Sequence, residues 1–329
     1  MDETQAMARA AELAARARRT SPNPKVGCVI LGPDGVVLGE GYHRGAGLPH
    51  AEVEALAAAG ADARGATAVV TLEPCNHIGR TGPCTEALIA AGVARVVIGR
   101  PDPNPVAAGG QQRLQGAGIE VAFEPVAGLN DDWEHAVRLR RPIVTWKAAA
   151  TLDGRVAAAD GSARWITGPV ARREVHELRA SVDAVLVGTG TVLADDPHLA
   201  VRLPDEPAAP QPMRVVVGAR PIPAGARILD DAGPTRQIAS HDPAAVLAQL
   251  WDAGVRSVLL EGGPRLAAAF VEADVVDRIV WYVAPKLLGE GPAALTPIGV
   301  RTISGARRFA LAAVRTAGDD IRIDLTREG

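Results

Sequence analysis

Between residues 50 and 84 the sequence gathers one imidazole and two thiols, His50, Cys75 and Cys84. These are the ligands of a zinc ion that keeps a fourth position open for water. Glu52 lies two residues beyond His50. Residues two apart on a helix point to different sides. Glu52 is therefore aimed past the metal towards whatever sits on its water, which is the place of a general acid/base. Two other readings compete. The cysteines could be small buried residues, or they could close a structural zinc site with His77 as fourth ligand. Against the first, both cysteines follow a proline, and the loop between them is polar (Asn76, His77, Arg80, Thr81). Against the second, a closed site would leave Glu52 without a task. The third thiol, Cys28, sits in the apolar run Val26 to Ile30 and reads as a core residue.

The elements that must hold these groups alternate between helix and strand. Residues 4 to 18 read as a helix that breaks at Ser21-Pro22-Asn23-Pro24. Residues 25 to 31 and 36 to 41 read as a hairpin around Gly32-Pro33-Asp34-Gly35. A helix over 51 to 59 ends at Gly60, and a strand over 67 to 72 delivers Glu73-Pro74-Cys75. Pro83 suits the first turn of a helix over 84 to 91 that Gly92 ends. A strand over 93 to 99, a short helix over 110 to 116 and a strand over 119 to 123 follow. His50 and Cys84 thus sit at helix N-termini, where the dipole favours thiolate over thiol.

The chain has 329 residues, long enough for two domains. The expected division is 1 to 125, a connector over 126 to 142 with a short charged helix, and 143 to 329. Hydrophobic residues make up 47% and aromatics only 3%, so the cores must be built from Val, Leu, Ile and Ala. A net charge of −3 leaves no electrostatic footprint for nucleic acid. Three cysteines, two of them expected on metal, argue for a reducing cytoplasm and against a disulfide framework. The N-terminus has no apolar stretch of a signal peptide, and no run of eighteen apolar residues spans a membrane.

His-x-Glu followed by Pro-Cys-x-x-Cys marks zinc nucleobase deaminases. Here the first half is intact, and eight residues separate the cysteines. The ordered set Pro22-Asn23-Pro24-x-Val26-Gly27, Gly41-Tyr42-His43, His50-Ala51-Glu52, Glu73-Pro74-Cys75, Gly79-Arg80-Thr81, Pro83-Cys84 and Asp102-Pro103-Asn104-Pro105 resembles the deaminase half of the bifunctional riboflavin-biosynthesis deaminase/reductase family. The long spacing separates that family from the cytidine and tRNA-adenosine deaminases. The resemblance implies a cytidine-deaminase-like α/β/α domain and one zinc per chain. It implies a 2,5-diamino-6-ribosylamino-pyrimidinone 5′-phosphate as substrate, lined by Asn23, His43, His77 and Arg80. Glu52 then carries protons between water, ring nitrogen and departing ammonia. One departure is a loop after Pro105 about one residue shorter than is usual in the family.

The second half carries two strand-turn-helix junctions rich in glycine, Gly188-Thr189-Gly190-Thr191 and Glu261-Gly262-Gly263-Pro264. Such junctions can cradle phosphate, and equally can be tight turns that need glycine. With Lys147, Thr151-Leu152-Asp153-Gly154, Trp165, Arg179, Leu193 to Pro197, Leu199, Arg202 and Ala284-Pro285-Lys286, they resemble the reductase half of the same family, with a dihydrofolate-reductase-like α/β fold. That resemblance implies NADPH near Ala149, Trp165, Thr191, Asp195 and the helix start Gly263, Pro264, Arg265, Leu266, Ala267, Ala268 and Ala269. It implies the ribosyl phosphate near Arg179, Leu199, Arg202 and Glu261. A homo-oligomer, dimer or tetramer, is expected. Guanidinium forks suit phosphate oxygens, although each Arg could equally form a surface ion pair. Ala163 stands where the family usually has Ser. Lys147 and Asp195 are the candidate acid/base groups of the reduction.

The leading expectation is an enzyme of riboflavin biosynthesis that deaminates a pyrimidine ribosyl phosphate and then reduces its ribosyl group with NADPH. A deaminase with a nucleotide-binding but non-catalytic C-terminal domain is the alternative. A nucleic-acid editing deaminase would need a basic groove with aromatic residues, and the acidic balance speaks against it.

Overall fold

The computed structural model describes residues 1–78, 82–162, 165–206 and 209–328. The chain forms two compact units that divide between Arg140 and Arg141.

In the first unit, strands β1 (Gly27–Leu31), β2 (Val37–Tyr42), β3 (Thr67–Val70), β4 (Arg95–Ile98) and β5 (Glu120–Phe123) form one sheet in the order β2-β1-β3-β4-β5. β1 runs antiparallel to β2 and β3, and β3, β4 and β5 are parallel. Strand alternation sends successive side chains of β1 to opposite faces. Cys28 and Ile30 join Ala51, Ala55, Leu88 and Leu114 from helices α2 (Ala51–Ala59), α3 (Cys84–Ala91) and α4 (Gly110–Gly116). Val29 and Leu31 join Ala6, Met7, Ala10 and Leu13 from α1 (Glu3–Ala15). The result is three layers, α/β/α. Asp2 and Gln5 close a reciprocal capping box at the start of α1. Gly92 ends α3 in the left-handed conformation at φ 72°, as its position suggests.

Helix α5 (Asp131–Leu139) is the segment expected as a connector, and it is tied to this first unit. Its cap residue Asn130 is bonded to the Lys25 backbone, and Arg100 pairs with Asp131 and Glu134.

The second unit holds eight strands in the order β12-β13-β11-β6-β10-β7-β8-β9. Six are parallel: β11 (Arg278–Ala284), β6 (Ile143–Thr151), β10 (Ser257–Leu260), β7 (Ala184–Gly188), β8 (Met213–Val217) and β9 (Thr235–Ile238). The antiparallel pair β12 (Phe309–Ala317) and β13 (Asp320–Arg327) extends the sheet beyond β11. Its central strands read as continuous apolar runs because both faces are covered. Leu260 and Leu186 pack with Val246 and Leu250 of α8 (Pro243–Asp252) and Phe270 of α9 (Pro264–Glu272). Leu259, Val185 and Val216 pack on the other face with Leu199 and Ile228. Helices α6 (Pro169–Ser181) and α7 (Thr189–Asp195) flank β7 in sequence. No helix among the described residues is long and apolar enough to cross a membrane.

Candidate active sites

The first site stands at the N-termini of α2 and α3. His50 is the N-cap of α2, Pro83 that of α3, and Cys84 is the first residue of α3. Nδ1 of His50 lies 3.2 Å from Sγ of Cys84 and 3.6 Å from Sγ of Cys75. The three ligand atoms fall within 4.8 Å of one another, and among the described residues no fourth metal-ligating side chain joins them. A nitrogen and two sulfurs converging in this way fit zinc with an open position. His77, the fourth ligand of the closed alternative, stands outside that group and lines the neighbouring cavity. The Cys84 backbone N–H donates to Cys75 Sγ at 3.4 Å. The Cys75 thiol is pulled down, first by a hydrogen bond from Cys84 and then by His50, while burial opposes the shift. Cys84 is pushed up by the same shared proton and by burial.

Glu52, in the first turn of α2, is 3% exposed. Burial raises its carboxyl to about 7, and the charge of Cys75 adds to the shift. The strand beneath permits this helix to lie close. A Cβ on Gly41 would stand 2.3 Å from the Ala51 carbonyl oxygen, and one on Gly39 would stand 2.2 Å from that of Ala55.

A cavity of about 290 Å³ opens from Glu52 and the metal-ligand residues. Asn23, His43 and His77 line it, and Arg80 lies outside the described residues. Nδ1 of His43 lies 3.0 Å from the Pro49 carbonyl oxygen, which can only accept, so Nδ1 carries the proton. Nε2 is then an acceptor for the Asn23 amide at 3.0 Å. Burial lowers the pKa of His43, which keeps the ring neutral in that role. Asp102, Asn104 and Trp133 also line the cavity, and none of them was assigned a role from the sequence. Burial raises the Asp102 carboxyl to about 6. The loop carrying Asp102 is pinned by Glu73, whose carboxylate accepts from the backbone N–H groups of Asp102, Gly109 and Gln111 at 3.1, 3.2 and 3.0 Å. The ordered motifs Glu73-Pro74-Cys75 and Asp102-Pro103-Asn104-Pro105 were the available signals. Trp133 offered none.

The second site gathers at the C-terminal ends of β6, β10 and β7, where ligands bind in open α/β sheets. Glu261 follows β10 directly and takes a bidentate pair from Arg179 on α6, at 2.6 and 2.9 Å, with side chains 8% and 12% exposed. Burial alone would raise Glu261, but the Arg179 and Lys147 charges outweigh it and its pKa is lowered. Thr191 Oγ1 accepts from the Gly263 N–H at 3.3 Å, so the two glycine-rich junctions meet. The Arg202 backbone N–H donates to Nδ1 of His176 at 3.1 Å, which leaves the His176 proton on Nε2. His176 falls to about 4 through burial and then the Arg179 and Arg202 charges. It is a member of this cluster that motif reading missed.

Leu199 is buried, with φ 58°. A bulky residue in the left-handed region marks strain of the kind concentrated at ligand sites. Gly263 caps α9, Arg265 is exposed, and Ala267 and Ala268 are buried in the core. Trp165 is exposed, with the Arg172 guanidinium 4.3 Å from its ring centroid. Ala149 lies near the end of β6, and Asp195 is the exposed last residue of α7. These three are not joined to the Arg179–Glu261 cluster by any hydrogen bond among the described residues. Ala163 lies outside the described residues.

The cytidine and deoxycytidylate deaminase zinc-binding region matches residues 1–100, and the RibD C-terminal domain matches residues 142–323. The riboflavin biosynthesis protein RibD of Mycobacterium tuberculosis is 50% identical over 312 residues, covering 93% of this chain and 91% of that protein. RibD of Escherichia coli is 43% identical and covers 99% of both chains. Among solved structures, Acinetobacter baumannii RibD superposes with a TM-score of 0.90 at 40% identity over 99% of both chains. A diaminohydroxyphosphoribosylaminopyrimidine deaminase/5-amino-6-(5-phosphoribosylamino)uracil reductase from Thermotoga maritima gives 0.85 at 33% identity and the same coverage. With relatives of this similarity along its whole length, the chain belongs to the RibD family of riboflavin-biosynthesis enzymes, a zinc-binding deaminase domain followed by a reductase domain.

Proposed function

We propose that the chain carries out two consecutive steps. The first is hydrolytic deamination of 2,5-diamino-6-ribosylamino-4(3H)-pyrimidinone 5′-phosphate. The second is NADPH-dependent reduction of the ribosyl group, giving 5-amino-6-ribitylamino-uracil 5′-phosphate. The observation that carries this reading is the convergence of His50, Cys75 and Cys84 beside a buried Glu52, in a chain whose relatives match it from end to end.

His50, Cys75 and Cys84 would hold one zinc per chain, which when bound lowers the pKa of a water ligand towards neutrality. Glu52 is suited to move protons because it is buried beside the ligand set and faces the cavity. It takes a proton from water and returns protons to the ring nitrogen and the leaving amine, so that water and amine become oxo group and ammonia. Asn23 and the neutral His43 orient the base, and His77 lines the same cavity; the family resemblance adds Arg80 as a substrate contact.

In the second site, Arg179 and Arg202 bind the phosphate or ribityl oxygens, with Leu199 and Glu261 shaping the pocket. NADPH supplies the hydride when bound, near Ala149, Trp165, Thr191, Asp195 and the helix start from Gly263 to Ala269. Of the two candidate proton donors, Lys147 is favoured. Burial lowers its pKa against the opposing charge of Glu261, whereas Asp195 stands in solvent. The free thiols suit a reducing cytoplasm. Exposed Leu311 and Val314 on the outer strand β12 suit a homo-oligomer. A non-catalytic C-terminal domain has no observation in its favour.

Mass spectrometry of the pyrimidine phosphate incubated with the protein tests the reading. Mass changes of about +1 without NADPH and a further +2 or so with it are expected for amine-to-oxo exchange and reduction. Glu52→Gln should keep its zinc and lose deamination by roughly 10²- to 10⁴-fold. Near-wild-type ammonia release from that variant would remove Glu52 from the chemistry.

A further inference from the structure

Helix α5 lies in neither matched region, yet it is locked onto the loop that carries Asn23. Asn130 is 6% exposed and pairs in both directions with the Lys25 backbone. Its Oδ1 accepts from the Lys25 N–H at 2.9 Å, and its Nδ2 donates to the Lys25 carbonyl at 2.8 Å. The Trp133 indole N–H donates to the Pro22 carbonyl at 2.9 Å. Asn23 therefore sits between two anchors, both supplied by the start of α5, while its amide meets His43. Trp133 also lines the cavity and is the one Phe, Tyr or Trp among the described residues that does so. With its N–H committed to Pro22, what it presents to a ligand is aromatic carbon.

We propose that Trp133 is a substrate-binding residue of the deaminase, its ring forming a wall against which the pyrimidine packs, and that Asn130 is the positioning residue that holds this wall to the Asn23 loop. This inference rests on the deaminase reading above. An aromatic face is a sequence-tolerant platform for a planar base. The interaction is made in the ground state, so its loss belongs in KM and not in kcat.

The test uses the full chain with Trp133→Leu and Trp133→Phe. Ammonia release is followed against the diamino-pyrimidinone ribosyl phosphate, together with zinc content and, in the same samples, NADPH oxidation on the deaminated compound. Leu, apolar but not flat, should raise the deamination KM about tenfold, with kcat within about threefold, zinc retained and the reductase step unchanged. Phe, which keeps a ring and loses the N–H, should hold KM within about threefold. Asn130→Ala should raise KM in the same direction as Leu. A wild-type KM in Trp133→Leu overturns the inference. So does an equal defect in both Trp133 variants, which would assign the effect to the Pro22 bond, and so does loss of zinc or kcat with KM unmoved, which would make the residue purely structural. A wild-type chain that releases no ammonia sinks the deaminase reading and takes this inference with it, a result distinct from any variant outcome.

Discussion

Gly41→Ala is the most direct probe of how the fold aims the deaminase chemistry. The added methyl would stand 2.3 Å from the Ala51 carbonyl oxygen, 2.6 Å from the Ala55 nitrogen and 2.7 Å from Glu54 Cβ, where ordinary contact begins at 3.4 Å. Two of the three obstacles are backbone atoms of α2, so no rotamer change relieves them. The helix must retreat by about an ångström, or β2 must bend away. Overpacking of this kind costs about 1–3 kcal/mol. The upper end applies because main chain is what must move. For a unit of this size the first thermal transition should fall by about 10 °C. The consequence for catalysis is larger. Ala51 stands between His50, the N-cap that offers Nδ1 to the metal site, and Glu52. Displacing reacting groups by about 1 Å can cost roughly 10²-fold in rate. Deamination should therefore drop by about that factor, with zinc content reduced, while NADPH oxidation on deaminated substrate stays within about twofold. Gly116→Ala is the control in the same unit. Its methyl would meet nothing within 4 Å at the end of α4, and it should be neutral or slightly stabilising. Wild-type melting and turnover in Gly41→Ala, or equal damage from Gly116→Ala, would refute the close-approach reasoning.

Two other perturbations follow from the polar groups. Glu73→Gln turns one acceptor oxygen into an NH₂ facing backbone donors. It should lose charge-assisted bonds of about 1.5–3 kcal/mol each and raise the deamination KM by loosening the Asp102 loop. Unchanged steady-state kinetics with unchanged urea stability would count against that role. His176 gives a pH signature in the second unit. Its pKa is lowered to about 4 from 6.5, so the folded unit favours the neutral ring. Between those values the unfolded chain binds more protons, and stability therefore rises with pH across pH 4 to 6.5 and is lost as pH falls through that window. Half-burial and solvent screening bring the expected loss to about 1–2 kcal/mol. His176→Gln should flatten the slope of the urea midpoint against pH over that range, and an unchanged slope would show that the ring does not titrate this way.

What the sequence made legible, and what it hid, divides along a physical line. Zinc chemistry admits few ligand types, so one His and two Cys beside a Glu could be recognised without knowing the fold. The helix and strand alternation of the first unit was equally readable, because β1 and the strands after it are buried and bounded by Gly and Pro. Helix α5 reads in sequence as a charged connector, and the structure shows what the sequence leaves out about its charges. Asp131 is exposed, but both it and Glu134 pair with Arg100, thirty or so residues earlier, and Glu134 is only 5% exposed. A charge satisfied across the fold looks the same in sequence as a charge satisfied by water.

The same limit hid Trp133 and His176, and it left Asp102 visible only as part of a motif, with no role. Each owes its place to a contact distant in sequence: Asp102 to Glu73, Trp133 to Pro22, and His176 to Arg202. None of these follows from local periodicity. The scarcity of aromatics pointed to aliphatic cores, and its fuller meaning appears at the β2–α2 contact. There Gly39 and Gly41 face Ala51, Ala55 and Ala59, small residues against small. A core of this kind sets backbone against backbone, and it fixes the depth of a helix more tightly than a layer of Leu, whose rotamers could adapt. Alanine and glycine at these positions are therefore part of how His50 and Glu52 are aimed, although neither residue type carries any chemistry of its own.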